Sequence, residues 1–133
     1  MAAGYSGTSL AKKLGLARGM SAWFHAMPST VRAEIAEADF NERHRPEPGL
    51  LFAHVFTTQR TELEAKLAML RTMIAPAGMI WISWPKKAAK VPTDVTEDTV
   101  RAVAYPLGLV DLKVCAVDAV WSGLKLMIRK ELR

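Results

Sequence analysis

The sequence has a single cysteine, Cys115, so the chain forms no internal disulfide bond, which favours a reducing compartment. It also has no apolar run approaching the roughly 18 residues that a membrane-spanning helix needs. Near the N-terminus it lacks the uninterrupted apolar stretch of about 7–15 residues that a secretory signal requires. Ala2 stands where myristoylation requires glycine. We therefore predict a cytoplasmic protein with no membrane segment.

The composition is that of an ordinary globular domain with a basic surplus. Half of the 133 residues are hydrophobic and 23% are charged, which is enough apolar material for one domain spanning residues 1–133. The formal net charge is +5 and the pI is about 9.6. Two groups of cations contribute to the surplus: Lys12, Lys13 and Arg18, and Lys86, Lys87 and Lys90. Such groups either lie in solvent or attract anionic partners, and the sequence leaves both alternatives open.

Apolar runs bounded by glycine or proline predict strands, and apolar residues at helical spacing predict helices. The predicted strands are residues 20–27, 50–56, 79–84, 109–117 and 124–128. The predicted helices are residues 10–14, 29–38 with Ser29 as cap, 57–75 and 97–104 with Thr96 as cap. Residues 39–49 predict a loop or a poorly formed edge strand, and residues 121–123 predict a turn.

The third helix has the clearest pattern. Leu63, Leu67, Leu70 and Ile74 recur at spacings of four, three and four residues, which predicts that all four share one face. Thr61 and Glu64 have the spacing of a capping box, so the helix begins either near residue 57 or at this pair.

The resulting order is β-α-β-α-β-α-β-β, in which the last two strands are joined by a short turn. Alternation of strands and helices predicts a mostly parallel sheet with right-handed crossovers. The short final connection makes the last strand antiparallel. We therefore predict a three-layer α/β fold, with helices on both faces of the sheet and a C-terminal antiparallel strand.

Two resemblances accompany this pattern. The first is to the second half of class I methyltransferases. It rests on residues 70–83, which have the pattern Leu-x-x-x-x-Ala-Pro-x-Gly before a strand, and on the final helix–strand–strand segment. This resemblance implies a truncated, Rossmann-like version of that fold. Several segments also resemble a small bacterial family called domain of unknown function 3052. They are residues 4–8 (GYSGT), 10–15 (LAKKLG), 81–87 (WISWPKK), 94–97 (DVTE) and 120–125 (VWSGLK). This second resemblance implies a fold and a bacterial origin but no particular activity.

The turn after the first strand departs from the methyltransferase pattern. The resemblance implies a glycine-rich turn there, since glycines allow a tight bend and a close approach of the backbone to the ligand. Ala26, Pro28 and Thr30 stand where those glycines are expected, and Pro28 fixes φ and removes one amide donor. Glu37 and Asp39 are both candidates for the acidic residue expected near a second strand. The sequence thus disfavours S-adenosylmethionine as a cofactor.

Other catalytic patterns are weak. His25, His44, His54 and Cys115 are isolated in sequence, whereas metal sites use closely spaced ligand pairs, so no metal site is predicted. Ser83 and Ser122 have no G-x-S-x-G setting. No residue is therefore assigned a catalytic role.

The topology still places a candidate ligand site. Ligands of open α/β sheets bind beyond the carboxyl ends of the parallel strands. The residues predicted at this rim are His25, Arg60, Trp84, Lys86, Lys87, Trp121, Ser122 and Lys125. Cations with tryptophans suit an anionic ligand that has a planar group, while packed tryptophans and solvated lysines are the alternative.

Three functions follow from these observations. The first is a noncatalytic methyltransferase-like domain that binds a small anionic ligand or a protein partner. The second is a methyltransferase that uses S-adenosylmethionine in an altered donor site. The third is nucleic-acid binding, against which the acid-rich residues 34–47 argue. A truncated sheet also leaves an edge at which copies of the chain can associate.

Overall fold

The protein is described by a computed structural model that covers residues 8–133. Within this range one six-stranded sheet is covered by helices. The helices are α1 (Leu10–Leu14), α2 (Ser29–Ile35), α3 (Arg60–Met73) and α4 (Glu97–Ala104). The strands are β1 (Ser21–His25), β2 (Asn41–Glu42), β3 (Leu50–Phe56), β4 (Ile74–Pro85), β5 (Leu109–Ala116) and β6 (Trp121–Ile128). None of the helices in residues 8–133 has the length and apolar character needed to cross a membrane.

The strand order in the sheet is β2-β1-β3-β4-β6-β5. The first four strands in this order run parallel, and β6 lies antiparallel between β4 and β5. The mostly parallel sheet with an antiparallel C-terminal strand confirms the fold class predicted from the sequence.

The sheet is buried on both faces. On the first face, α1 and α2 pack Leu14 and Ile35 against Phe52 and Trp81. On the second face, α3 and α4 pack Leu63, Leu67 and Val100 against Val55 and Ile82. Neighbouring residues of β3 therefore point alternately into two separate cores, which explains why that strand is apolar except for His54.

Several helix ends match the sequence patterns. Gly15 ends α1 in the left-handed conformation with φ 78°. The Thr96 hydroxyl accepts a hydrogen bond from the Thr99 N–H at 3.3 Å, and the Thr99 hydroxyl accepts one from the Thr96 N–H at 3.1 Å. This reciprocal pair is the cap predicted for α4.

Other local predictions were wrong. Ser29 is the first residue of α2 rather than its cap, and Pro28 precedes it with no side-chain cap. The helix α3 begins at Arg60, before the Thr61–Glu64 pair, and ends at Met73, so β4 starts at Ile74 rather than at residue 79. Pairing of Leu50 with Ile74 in the neighbouring strand extends β4 backward, and sequence spacing carries no sign of that contact.

The final turn also lies elsewhere than predicted. Trp121 and Ser122 belong to β6, and the turn occupies residues 117–120. Asp118 stabilises it, because one carboxylate oxygen accepts the N–H groups of Val120 and Trp121, both at 2.8 Å.

Candidate functional site

The carboxyl edge of the parallel strands contains a topological switch point between β1 and β3. From β1 the chain goes to β2 on one side and then crosses to β3 on the other. Ligands of open α/β sheets bind in the crevice beyond the strand ends at such a point. His25 ends β1 and Thr57 directly follows β3, so both lie at this edge.

His25, Thr57 and Glu62 form a hydrogen-bonded network at the switch point. Nε2 of His25 lies 3.0 Å from one carboxylate oxygen of Glu62, and the Thr57 hydroxyl donates to the other at 2.6 Å. The hydrogen bond from Thr57 lowers the pKa of Glu62 most, and the bond from His25 lowers it further. Partial burial has the opposite effect and raises the pKa, but the lowering effects are larger. The network thus joins an ionised carboxylate to an imidazole. The sequence predicted His25 at this edge but missed Glu62, which lies in the first turn of α3. The spacing of residues along a helix shows which of them share a face, but it does not show which strand end a polar residue of that helix contacts.

The turn after β1 has a backbone shape that usually requires glycine. Ala26 has φ 56°, in the left-handed region that residues with a side chain rarely adopt. The carbonyl of Pro28 accepts the N–H groups of Val31 and Arg32, both at 3.1 Å, so α2 starts directly after the bend. The chain therefore makes the expected tight turn without the expected glycines.

A second strand, β2, lies beside β1 at the edge of the sheet. It consists of Asn41 and Glu42, which pair with Ser21 and Ala22. This strand confirms the edge-strand alternative for residues 39–49, and it makes Glu42, rather than Glu37 or Asp39, the acidic residue at the end of the second strand. A strand of two residues is too short to show the apolar–polar alternation by which strands are recognised, so its ends could not be predicted from the sequence.

The carboxylate of Glu42 is held by Arg32 of α2. Two parallel hydrogen bonds of 2.8 and 2.9 Å join the guanidinium to both oxygens. The hydrogen bonds from Arg32 lower the pKa of Glu42 most, and His44 lowers it slightly further. Partial burial raises the pKa, but the lowering effects are larger. Glu42 also lines a cavity of about 250 Å³ with Arg43, His44, Arg45 and Glu47. An oriented carboxylate therefore faces a pocket beyond the end of β2.

The two rim tryptophans lie on opposite faces of the sheet. Trp84 is buried in the core of the second face. Trp121 packs edge-on against Phe56 of the first face, with ring centroids 5.3 Å apart. The expectation that both rings converge on one planar ligand is therefore wrong, because alternate strand residues point to opposite faces.

Two other predicted rim residues, Lys125 and Arg60, have different surroundings from those expected, whereas Ser122 lies where it was predicted. Lys125 pairs in register with Trp81, well inside β6, so it lies away from the rim. The guanidinium of Arg60 pairs with Glu64 at 3.0 Å. Ser122 lies opposite Trp84 in the antiparallel pair and thus stays near the rim.

Lys86 and Lys87 do lie together, at the end of β4. They line a cavity of about 760 Å³ with Trp84 and the loop that leads to α4. The N–H of Lys86 donates to the carbonyl of Val120 at 2.7 Å, which joins this loop to the turn between β5 and β6. The part of the predicted rim that the structure brings together is therefore Trp84, Lys86, Lys87 and Ser122.

Two observations concern metal ligands and the one thiol of the described residues. Among residues 8–133, no three His, Cys, Asp or Glu side chains converge as metal ligands. Burial raises the pKa of the Cys115 thiol, against the lowering effect of nearby lysines, so this thiol is a poor nucleophile.

Comparisons with solved structures agree with this architecture. The chain is similar to a SAM-dependent methyltransferase from Aquifex aeolicus, with a TM-score of 0.66 and 16% identity over 88% of this chain and 86% of that chain. It is similar to the ribosomal protein L11 methylase from Lactobacillus delbrueckii subsp. bulgaricus, with a TM-score of 0.58 and 8% identity over 90% and 77% of the two chains. A precorrin-6y C5,15-methyltransferase from Geobacter metallireducens gives a TM-score of 0.57 and 10% identity over 90% and 85%.

These likenesses define the fold class. The chain has a class I methyltransferase-like fold, truncated to six strands. No protein-family model matches the chain, and no curated protein matches its sequence.

Proposed function

We propose that the chain binds S-adenosylmethionine at the edge where β1 and β2 end, and that it transfers the methyl group to an acceptor. The observation that carries the proposal is Glu42, an oriented carboxylate that ends the strand beside β1 and lines a cavity. The structural neighbours include methyltransferases with this fold, which supports the same conclusion.

The residues at this edge suit the cofactor in two respects. The left-handed Ala26 bends the backbone tightly enough for the chain after β1 to pass beside a ligand. Glu42 is acceptor-only when ionised and can accept a hydrogen bond from each of the two hydroxyl groups of a ribose. The cofactor would supply an electrophilic methyl group on a sulfonium. His25, paired with the ionised Glu62, would hold a proton at the same edge.

Two features make the donor site an altered one. Pro28 has no N–H to offer a ligand. Arg32 occupies both oxygens of Glu42, so a ribose must share or displace this pair. We therefore expect weaker cofactor binding than a glycine-rich turn would give.

Calorimetric titration with S-adenosylmethionine and S-adenosylhomocysteine tests the proposal. Saturable binding is expected, and Glu42→Gln should weaken it by roughly tenfold or more, because a hydrogen bond to a charged group is lost. Glu64→Gln is the matched control, since it also removes a carboxylate paired with an arginine but lies in α3 away from the β2 end. Equal affinity in both variants, or no binding by the wild-type chain, would contradict the proposal.

A noncatalytic binding domain is the second candidate, and Pro28 is the observation that favours it. On this alternative neither form of the cofactor binds, and the methyltransferase-like fold serves only to present a ligand or partner surface. Membership of the domain of unknown function 3052 family, a bacterial origin and a cytoplasmic location stay predictions. For that family, the segment at residues 4–8 lies outside the described residues, except for Thr8.

A further inference from the structure

The segment between β4 and α4, residues 86–96, forms a cavity that the proposed donor site does not use. The cavity has a volume of about 760 Å³. It lies beyond the end of β4, whereas the proposed donor site lies beyond β1 and β2, and β3 separates the two in the sheet. We call this segment the β4–α4 loop.

The β4–α4 loop is fixed at both ends. At its start, Lys86 donates its N–H to Val120 in the next turn. Near its end, the Thr93 hydroxyl and the Asp94 N–H both donate to the Thr58 carbonyl, at 2.8 and 3.3 Å. Val95 is buried just after these bonds. The cavity is therefore bounded by a loop with an ordered course rather than by a free segment.

The cavity is strongly cationic. Lys86, Lys87 and Lys90 all line it, and among residues 8–133 none of the three forms an ion pair. Glu97 is the acidic residue among its lining residues, and its carboxylate is engaged by Arg101. Three lysines thus line one cavity whose acidic lining residue is already paired, which favours a ligand with more than one negative charge.

The rest of the lining is apolar. Trp84 forms part of the wall and is itself packed into the core of the second face. Val91 is 39% exposed and, with Pro92, adds apolar surface on the loop side. Apolar walls with a few charged groups are typical of small-molecule sites.

We propose that this cavity binds a small organic phosphate, whose apolar part contacts Trp84 and Val91 and whose phosphate contacts Lys86, Lys87 and Lys90. Lysine ammonium groups bind phosphate as point charges, and their attraction is strengthened where water is partly excluded. The proposal does not depend on the proposed donor site, because the two sites share no residue.

Phenyl phosphate is a suitable probe, with inorganic phosphate and phenol as its two halves. Binding is followed by the NMR signal of the Trp84 indole N–H, which is assigned with the Trp84→Phe variant. We expect saturable binding of phenyl phosphate without any methyl donor, and affinity at least about tenfold weaker for either half alone. The triple variant Lys86→Gln/Lys87→Gln/Lys90→Gln should lose at least about tenfold in affinity for phenyl phosphate.

The matched control is Lys12→Gln/Lys13→Gln/Lys130→Gln, which removes the same charge from exposed positions elsewhere and should bind phenyl phosphate as the wild type does. Equal losses in the two triple variants would overturn the proposal, because only the overall charge would then matter. Phenol binding as tightly as phenyl phosphate, or no saturable binding of phenyl phosphate, would overturn it as well.

Discussion

The most unusual single residue is His54 in the middle of β3. Its side chain is fully buried, its Nε2 lies 2.7 Å from the Ser83 hydroxyl, and its ring stacks on Phe56. Its Nδ1 has no hydrogen-bond partner among residues 8–133. Burial lowers the pKa of His54 to about 3, so the ring is neutral in the folded protein. His54 lies within the strand predicted at residues 50–56, and its burial follows from the position of that strand in the centre of the sheet.

This residue makes stability depend on pH. The unfolded chain binds a proton at His54 below about pH 6.5, whereas the folded chain does so only near pH 3, so stability falls as the pH drops between these values. Urea unfolding from pH 6.5 to 5 should show a loss of up to about 1.4 kcal/mol per pH unit from this residue. His54→Leu should lack this component, and the exposed His44→Leu should keep it. Parallel pH profiles for the wild type and His54→Leu would contradict the assignment.

At the scale of elements, the sequence predicted those helix ends that are determined by residues a few positions away. It did not predict the ends and strands that are determined by contacts between distant parts of the sequence. The two ends of α1 are capped by Ser9 and Gly15, and the start of α4 is capped by Thr96. Each cap lies within a few residues of the groups that it binds, so these helix ends were predictable from the sequence. The start of α3 was not, because Asp94 accepts the N–H of Arg60 at 2.7 Å from a distant part of the sequence. Glu42 was missed as a site residue for the same reason, since β2 exists only by pairing with β1.

The long-range cap gives a direct test. Asp94→Ala removes the acceptor for a helix N-terminal N–H and should destabilise the protein by about 1 kcal/mol. Glu34→Ala, at an exposed position in α2, should change stability by less than about 0.5 kcal/mol. Chemical denaturation of the two variants measures both effects, and a loss no larger for Asp94→Ala than for Glu34→Ala would show that the cap is unimportant.

The short helix α1 depends on one buried side chain of the sheet. A five-residue helix has little stability of its own, and the indole N–H of Trp81 donates to the Leu14 carbonyl at 2.8 Å. Trp81→Phe removes this bond and leaves a small cavity, so we expect a loss of about 2 kcal/mol and faster hydrogen exchange in α1. Trp23→Phe, in the core of the second face, serves as control and should leave exchange in α1 unchanged.

At the scale of the whole molecule, the edge strand β5 decides the tendency to self-associate. Leu112 and Val114 are 53% and 47% exposed there, which would favour edge-to-edge pairing. A register irregularity between Asp111 and Lys113, and the charge of Lys113 itself, oppose such pairing. The sequence left self-association open, and we expect these two features to keep the chain monomeric at micromolar concentration.

Sedimentation velocity over a concentration series checks this expectation. The wild-type chain should sediment as one species of 14.7 kDa, and Lys113→Val should shift it toward larger species because the edge loses its charge. Lys12→Val, which removes an exposed charge from α1, is the control and should leave the distribution unchanged. A wild-type dimer would show that the irregular edge does not prevent pairing.

The position of β6 also constrains how the chain matures on the ribosome. Synthesis proceeds from the N-terminus, yet β6 emerges after β5 and inserts between β4 and β5. Until Trp121 and the rest of β6 leave the exit tunnel, the nascent sheet ends at an open β4 and β5 has no partner. The sheet is therefore completed only once β6 has emerged, and transcripts that stop before β6 should yield products that chaperones retain or proteases remove.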